Sequence, residues 1–586
     1  MLRVIMKINL MRAVLVSVVT TTPLLAAPPL PTEHLTVNTL PSNTPHRIYV
    51  LDEAFDNQND ARVHLFDGDT YRRLGQIDAG FSPGVNLSPD GKTTVVSTTY
   101  FARGSRGART DVVEFTDNST LSVTHEIVLP PKRAQTLPTY FNLGYSIDGH
   151  FLYVSYVTPA ASFGVLDPEK YSVLDEIDTA GCVLVIPSGP NRVSSLCESG
   201  RLLTVTLDTQ GHEASRAMSE SFFDPDKDPV FVQGIPTPDG YAFLSFLGEV
   251  HEVDFSASEP SFHKPWSLLD AADKAQGWRP GGAQVGAIHR KLGRLFVPMH
   301  RGGEGTHKDG GTEIWVFDMK TRQRVARWPL APQKLAAVVS VQVSQDDAPL
   351  LFAATEHADV AVLDALTGHV RHIEPKLGQT PWLMLNPENR QFLEDTGMRS
   401  LDRLFEHSSR SLARHTSRRS LLATLGQILI GAALVPLLPV DRSSRAAAAD
   451  GAGPATPQTP AHGKGNTARK TPTDDPMSCE YWKYCAVDGF LCSCCGGSAN
   501  SCPPGTAPSP ITWIGTCHNP ADGRHYIVSY NDCCGKASCG NCECNRNERE
   551  KPMYRPSRNN DLNWCMANAD SNYHCSVSVI LGVAEQ

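Results

Sequence analysis

Cysteine is the residue type in this chain whose number and spacing most clearly indicate chemistry. Fourteen of the 16 cysteines fall between Cys479 and Cys575, a stretch of 97 residues. Their spacing includes Cys-Ser-Cys-Cys from Cys492, a Cys-Cys pair at Cys533 and Cys-x-x-Cys-x-Cys from Cys539. The Cys-x-x-Cys spacing can bind zinc, whereas the density and the even count favour disulfides in an oxidising compartment. We predict disulfides, with zinc as the alternative.

Three tryptophans and two aspartates of the same segment are the other side chains that could take part in a reaction. By residue type alone, Trp482, Trp513 and Trp564 are explained as apolar fillers of a small domain. Asp488 and Asp532 are explained as surface or turn residues. A segment with so many cross-links forms a rigid frame that can hold reactive side chains at fixed distances. The spacing of these five residues by itself predicts no reaction.

The N-terminus agrees with an oxidising compartment. Arg3, Lys7 and Arg12 precede an apolar run that two alanines end at Ala27. This layout predicts a secretory signal peptide over residues 1–27. The apolar run is too short for the alternative, a membrane anchor.

A second signal-like segment lies inside the chain. Arg418 and Arg419 precede an uncharged stretch that runs to Val440. This pattern predicts a twin-arginine export signal within a connector at 391–449, and its length would also suit the alternative, a membrane span. Residues 450–476 are rich in Gly, Pro, Thr and Ala, which predicts a flexible linker.

Residues 28–390 are predicted to form a β-propeller. Short apolar runs alternate there with turn clusters whose starts lie 42 to 58 residues apart. A repeat near 50 residues, with a turn before an apolar strand, is typical of one four-stranded blade. Six clusters and an opening strand near Ile48 predict seven blades, the alternative being an array of β-sandwiches. The clusters begin at Ser88, Ser146, Ser188, Thr237, His289 and Ser344.

The remaining features of the propeller segment indicate structure rather than chemistry. Cys182 and Cys197 are predicted to pair within one blade, and the turn aspartates to cap backbone groups. The chain has 20 histidines, but none in this segment has a metal-ligand spacing, so no metal is predicted. The net charge of −9 offers no basic excess for binding nucleic acid. The predicted fold is all-β: a seven-bladed propeller followed by a small disulfide-rich, mostly β domain at 477–586.

Four stretches of the C-terminal segment carry a resemblance to known proteins. They are EYWKYCAVDG at 480–489, WIGTCHNP at 513–520, DCCG at 532–535 and NWC at 563–565. Together they resemble the small subunit of the quinoprotein amine dehydrogenases that use tryptophan tryptophylquinone. The runs CSCCGG and PSP, which precede Trp513, resemble the aromatic amine branch more than the methylamine branch. The propeller is similar to the large subunit of the same enzymes.

The resemblance implies a role for each site residue. Trp513 and Trp564, 51 residues apart, match the two indoles that the family cross-links and oxidises to the quinone cofactor. Asp532 matches the active-site base, and Asp488 matches a carboxylate needed to form the cofactor. Ser576 stands where the family usually has threonine, so the hydroxyl is kept and a methyl group is lost.

The resemblance also implies a disulfide pairing. It leaves Cys495 and Cys539 over, and we predict that these two form a seventh bridge. Free thiols at both positions in the secreted protein would contradict that prediction. The implied pairs are Cys479–Cys544, Cys485–Cys517, Cys492–Cys575, Cys494–Cys542, Cys502–Cys533 and Cys534–Cys565.

The implied function is that of a periplasmic oxidoreductase that deaminates primary amines, aromatic ones by its branch. A quinone carbonyl condenses with the amine to a Schiff base, and a carboxylate then removes a proton from the substrate carbon. Aldehyde and ammonia are the products. The implied partners are a blue copper electron acceptor such as azurin or amicyanin, maturation proteins, and a second large and small unit. The alternative function is a secreted binding or scaffold protein without catalysis.

Large and small subunits are separate chains in the family but share one reading frame here. A propeller that folds ahead of a twin-arginine signal is mechanically awkward in a single chain. We therefore predict cleavage near Ala449 into two chains. A permanent fusion and a merged reading frame are the alternatives.

Overall fold

The computed structural model describes residues 35–158, 160–387, 474–545, 552–555 and 562–584. The chain divides at Leu40 into two units, and all the strands belong to the second unit. The predicted signal peptide, the twin-arginine segment and most of the linker lie outside the described residues. Within the described ranges, no helix combines the length and the apolar character needed to cross a membrane.

The first 29 strands form seven blades of antiparallel strands, which confirms the predicted fold class. A long strand, β3, serves two blades, as the outer strand of the first and the inner strand of the second. From the inner strand outward, the first blade is β29 (Pro381–Leu385), β1 (Arg47–Asp52), β2 (Ala61–Asp67) and β3 (Arg72–Leu87), and the second is the end of β3, β4 (Thr93–Arg103), β5 (Arg106–Asp117) and β6 (Ser122–Leu129). The third blade is β7 (Leu143–Tyr145), β8 (Leu152–Tyr156), β9 (Ser162–Asp167) and β10 (Ser172–Asp178), and the fourth is β11 (Cys182–Gly189), β12 (Arg192–Cys197), β13 (Leu202–Leu207) and β14 (Glu213–Met218). The fifth blade is β15 (Ile235–Pro236), β16 (Gly240–Leu244) and β17 (Glu249–Asp254), with β18 (Ser261–Phe262) and β19 (Trp266–Ser267) both paired to the outer side of β17. In the sixth blade, β20 (Trp278–Pro280) and β21 (Ala287–His289) both pair with the inner side of β22 (Arg294–Arg301), which is followed by β23 (Glu313–Asp318) and β24 (Gln323–Pro329). The seventh blade is β25 (Val338–Val343), β26 (Leu350–Thr355), β27 (Val360–Asp364) and β28 (Val370–Glu374). One short helix, α1 (Ala271–Ala275), and three 3-10 turns, Phe55–Asn57, Tyr140–Asn142 and Ala331–Gln333, join strands.

Burial falls from the inner strands of a blade to its outer strand. All five residues of β16, GYAFL, are buried, whereas all six residues of β14, EASRAM, are exposed. An inner strand is covered on both faces by neighbouring blades, so it must be apolar throughout, while an outer edge strand meets water. The short apolar runs of the sequence are therefore inner strands.

Each of the six turn clusters joins an innermost strand of a blade to the next strand outward; in the sixth blade these are β21 and β22. In the first cluster, the Asp90 carboxylate accepts hydrogen bonds from the Ser88 hydroxyl at 2.7 Å and from the Lys92 amide at 3.1 Å. Gly91 there has a φ of 70°, a backbone conformation that suits glycine. The predicted capping role of these aspartates is confirmed at this turn.

The first blade has no such cluster because its two inner strands come from opposite ends of the propeller segment. The final strand β29 pairs with β1, with Met384 opposite Val50, and this pairing closes the ring. The Asp52 carboxylate accepts the amide hydrogens of Gln379 and Thr380 at 2.9 and 2.6 Å, which fixes the joint. Six clusters therefore accompany seven blades.

The described residues of the small domain form two small sheets and three 3-10 turns. One sheet pairs β30 (Asp488–Phe490) with β33 (Glu543–Asn545), and the other has the order β31 (Ala507–His518), β32 (His525–Cys534), β34 (Tyr573–Val583). The turns are Trp482–Tyr484, Cys492–Cys494 and Trp564–Ala567.

All 16 cysteines lie in the described ranges, and all are paired. One pair is Cys182–Cys197 between β11 and β12. The other seven are the six pairs implied by the resemblance together with Cys495–Cys539. The sulfurs of Cys492, Cys533 and Cys575 lie within 4.8 Å of one another, but each is bonded to another sulfur in a disulfide. That cluster therefore offers zinc no thiolate, and the zinc alternative is not supported.

The small domain and the propeller share one apolar core. That core joins propeller aromatics such as Phe141 and Tyr241 to Trp513, Tyr530 and Trp564 of the small domain. Hydrogen bonds fix the same contact. The Asn563 amide donates to the Gln135 carbonyl at 2.8 Å, the Arg109 guanidinium to the Met566 carbonyl at 2.7 Å and the Val230 amide to the Tyr554 hydroxyl at 3.0 Å.

Candidate active site

Trp513 is held against the inner face of the small domain. Alternate residues of β31 point inward, so Trp513 and Cys517 are buried while Ile514 is exposed. Trp513 is 5 % exposed, and its indole N–H donates to the Ala486 carbonyl at 3.2 Å. Its ring stacks on that of Tyr530, its partner in β32, with centroids 5.6 Å apart.

Trp564 reaches Trp513 from a distant part of the chain. Asn563 caps its 3-10 turn by accepting the Cys565 amide at 3.1 Å, and the Cys534–Cys565 disulfide ties that turn to β32. The two indole centroids lie 6.2 Å apart with an interplanar angle of 29°. The structure thus brings together the two tryptophans that the sequence analysis singled out, and Trp482 is not part of this pair.

The indole N–H of Trp564 is a buried polar group that makes no hydrogen bond among the described residues. The side chain is 7 % exposed. A buried donor without a partner costs free energy. Two adjacent buried indoles, one with an orphaned N–H, fit a cross-linked pair that carries further polar atoms.

Asp532 and Ser576 face each other across β32 and β34. They are register partners, and the Ser576 hydroxyl donates to Asp532 Oδ1 at 2.8 Å. Asp532 is 5 % exposed and Ser576 1 %. Asp532 follows Tyr530 by two residues in β32, so both side chains lie on one face, the face that carries the Trp513 stack.

Burial sets the proton affinity of Asp532. It raises the pKa of Asp532 from 3.8 to about 7; the hydrogen bond from Ser576 opposes this rise, and the charge of Asp488 adds to it. Asp488 lies half-buried in β30, opposite Asn545. A carboxyl that is partly ionised at neutral pH can act as a general base there.

Tyr573 belongs to the same cluster, although sequence reasoning missed it. Its hydroxyl lies 3.0 Å from Ser576 Oγ and accepts the Phe490 amide at 2.8 Å. Gly489, with a φ of 115°, leaves room for it, because a Cβ at that position would lie 2.2 Å from the Tyr573 hydroxyl oxygen.

No periodic signal could have found Tyr573. It precedes Ser576 by three residues, and an odd spacing puts two residues on opposite faces of a regular strand. The pairing of β32 with β34 shifts register at Cys533 and Cys534, where one extra residue of β34, His574, is inserted. This bulge turns Tyr573 to the side of Ser576.

Propeller residues form hydrogen bonds with the segment that carries Trp564. The Asn563 side-chain amide donates to Gln135 Oε1 at 3.1 Å. Arg109, whose guanidinium reaches the Met566 carbonyl, also makes a two-fold contact with the Asp111 carboxylate at 2.8 and 2.7 Å. Arg109 and Gln135 lie more than 400 positions from the small-domain residues that they contact, a separation that sequence patterns do not bridge.

Sequence models of one protein family match the two parts of the chain separately. The model described as methylamine dehydrogenase heavy chain (MADH) matches residues 44–387. The model described as methylamine dehydrogenase, L chain, matches residues 472–584. The two matches cover the propeller and the small domain.

Individual relatives also align to one part or the other. The aralkylamine dehydrogenase light chain of Alcaligenes faecalis is 51 % identical over 189 residues, which are 32 % of this chain and 100 % of that protein. The methylamine dehydrogenase heavy chain of Methylophilus methylotrophus is 27 % identical over 346 residues, 58 % of this chain and 83 % of that protein. A crystal structure of aromatic amine dehydrogenase in an electron-transfer complex with azurin, from Alcaligenes faecalis, has a chain 60 % identical; the match covers 19 % of this chain and 100 % of that one, with a TM-score of 0.19.

Proposed function

Because this chain belongs to the methylamine dehydrogenase family, with heavy-chain and light-chain regions in one polypeptide, we propose that it deaminates primary amines oxidatively to aldehydes and ammonia. The observation that carries the proposal is a buried carboxyl, Asp532, on the face of β32 that also carries the stack of Trp513. No standard side chain accepts two electrons from an amine, so the reaction needs a cofactor. The adjacent indoles of Trp513 and Trp564 fit tryptophan tryptophylquinone.

The cofactor supplies an electrophilic carbonyl and a sink for two electrons. The residues of the chain handle the proton. Asp532, with its pKa near 7, takes the proton from the substrate carbon, and Ser576 holds the carboxylate in place through its hydroxyl. The apolar core shared with the propeller keeps water away from this step. Asp488, on the neighbouring strand β30, is proposed to act in forming the cofactor.

We propose an aromatic amine as the substrate. The support is the 51 % identity, over 189 residues, to an aralkylamine dehydrogenase light chain and the CSCCGG and PSP runs. The heavy-chain relative quoted above is a methylamine dehydrogenase, so the propeller does not add to this support. The rate with phenethylamine divided by the rate with methylamine tests the proposal, and a ratio below one would contradict it.

The electron acceptor, the compartment and the assembly are proposed from the family resemblance. We propose a blue copper protein of the azurin or amicyanin type as the acceptor, a periplasmic location, maturation proteins, and two large with two small units. The eight disulfides support an oxidising compartment.

Cleavage near Ala449 is proposed to separate the propeller from the small domain. Each of the eight disulfides lies within one domain, so a cut there leaves two pieces without a covalent link. A denaturing gel of the active protein without reductant should then show two bands. A single band from an uncut chain, whose mass is 63.8 kDa before the signal peptide is removed, would contradict the proposal.

The visible spectrum of the matured protein tests the enzyme proposal. Protein produced with its maturation system should absorb in the visible range and bleach when phenethylamine is added. Mass spectrometry should find one cross-linked peptide that contains Trp513 and Trp564. A colourless protein with both tryptophans unmodified would instead support the scaffold alternative.

A further inference from the structure

We propose that His518 and His525 form a surface site for a divalent transition metal, with copper(II) bound more tightly than zinc(II). The two residues lie at the outer end of the hairpin formed by β31 and β32. His518 follows Trp513 by five positions in β31, so the two side chains lie on opposite faces of the sheet. The site is therefore separate from the proposed catalytic residues, and the inference goes beyond the proposed function.

The backbone places the two imidazoles side by side. His518 and His525 are register partners in the antiparallel pair of strands. The next pair toward the turn is hydrogen-bonded, since the Asn519 amide donates to the Arg524 carbonyl at 2.8 Å. Hydrogen-bonded and non-hydrogen-bonded pairs alternate along an antiparallel ladder, so the two histidines form a non-hydrogen-bonded pair, with Cα atoms about 4.5 Å apart. Their side chains leave the same face of the sheet at the closest spacing that strand pairing allows.

The hairpin holds this spacing before any ion binds. Cys517, the residue before the first histidine, is bonded to Cys485 in a disulfide. Tyr526, the residue after the second histidine, packs its ring against that of Trp482, with centroids 5.3 Å apart. Gly523 closes the turn with a φ of 68°, a backbone conformation that suits glycine. A backbone that is already fixed lowers the entropy lost when a ligand binds.

The distance between the two rings fits two ligands of one ion. The ring centroids of His518 and His525 lie 5.0 Å apart, with an interplanar angle of 54°. An imidazole nitrogen binds a zinc ion at about 2.0–2.1 Å, which places the ring centroid about 3.1 Å from the ion. Two such ligands at an angle of about 90° to 110° have centroids about 4.4 to 5.1 Å apart. The observed separation lies within this range.

Both imidazoles are available to a ligand. The side chains of His518 and His525 are exposed, and neither makes a hydrogen bond or an ion pair with another described residue. Among the described residues, no third histidine, cysteine or carboxylate joins them in a three-ligand group, so water fills the other positions of the ion. Nitrogen ligands bind copper(II) more tightly than zinc(II), which sets the order of the affinities.

Calorimetric titration of the purified, disulfide-bonded protein with copper(II) or zinc(II), after treatment with a chelator, tests the inference. One equivalent of copper(II) should bind ahead of all others, and zinc(II) should bind more weakly. His518→Gln and His525→Gln should each weaken this first equivalent at least about tenfold, because each removes one of two protein ligands. The double variant should bind little more weakly than either single variant, since the two imidazoles act as one unit.

A matched control separates this pair from the other histidines of the chain. His357 is also exposed, with 70 % of its side chain accessible, and its ring lies 3.9 Å from the carboxylate of Glu356. His357→Gln should bind the first equivalent of copper(II) as tightly as the wild type. The electron paramagnetic resonance spectrum of the wild type with one equivalent of copper(II) should show coupling to two imidazole nitrogens. This spectrum tests the inference even if a variant does not fold.

Three results would overturn the inference. They are a first equivalent that either histidine variant binds as tightly as the wild type does, an equal loss of affinity in His357→Gln, and a wild-type spectrum with coupling to a single imidazole nitrogen. Tighter binding of zinc(II) than of copper(II) would overturn the stated order of affinities. None of these measurements requires the cofactor, so a colourless protein would refute the proposed function and leave this test intact.

Discussion

The propeller and the small domain hold their residues in place by opposite means. The propeller has a single disulfide, Cys182–Cys197, and relies on inner strands covered on both faces and on the pairing of β29 with β1. The small domain has seven disulfides, and half-cystines are themselves part of its core, where Cys492, Cys533 and Cys575 pack with Val577. A large apolar ring tolerates the loss of one contact. A cross-linked frame makes each proposed site residue depend on a particular bond or hydrogen bond.

The largest effect is expected from the loss of one carboxyl group in the small domain. Asp532→Asn keeps the shape of the side chain but removes the base, so the rate of cofactor reduction by substrate should fall about 10²- to 10⁴-fold per chromophore. Stopped-flow absorbance measures this rate. A rate within tenfold of the original would show that another group takes the proton.

The same variant should reveal that Asp532 destabilises the fold at the pH where it works. Its pKa in the folded protein, about 7, lies above the ordinary 3.8. As the pH rises between these values, the unfolded chain releases a proton that the folded protein keeps, so the stabilisation from this group is lost by about pH 7. The uncharged amide of the Asp532→Asn variant has no such loss. Calorimetry should therefore find the Tm of the variant rising relative to that of the wild type between pH 4 and 7, and a constant difference would contradict the shift.

Much of this contrast could be predicted from the sequence, since it rests on local patterns. The turn clusters predicted the blades because each joins two adjacent strands, and the cluster that would mark the first blade is absent because β29 and β1 are far apart in sequence. The comparisons confirm the family resemblance that singled out Trp513 and Trp564. Residue types alone could not predict the pair. Tyr573 was missed because the bulge in β34 breaks the period of two, and Gln135 because its contact with Asn563 is long-range.

Removal of a disulfide should affect cofactor formation in the small domain but not in the propeller. Replacing Cys534 and Cys565 by serine opens a link of sequence separation 31 and frees the turn of Trp564, so cofactor formation should fail. Replacing Cys182 and Cys197 opens a link of separation 15. Either bridge is worth about 3 to 4 kcal/mol in the chain-entropy treatment, but β11 and β12 stay paired through their backbones. Absorbance per protein should therefore vanish in the first double variant and persist in the second; equal chromophore yields would remove the proposed contrast.

The smallest effect concerns the seam where the two regions meet. Arg109 contacts the Asp111 carboxylate, which is fully buried, and the Met566 carbonyl beside Trp564. Arg109→Ala leaves that carboxylate without its guanidinium partner, so the free energy of unfolding should fall by about 1 to 3 kcal/mol. Arg62 makes an ion pair of similar length, 2.6 Å, with Asp60, but both side chains are exposed. Arg62→Ala should therefore change the free energy by less than about 0.5 kcal/mol. Urea unfolding followed by the cofactor absorbance would measure the free energy of unfolding of both variants. Equal losses of free energy would mean that burial does not strengthen the ion pair between Arg109 and Asp111.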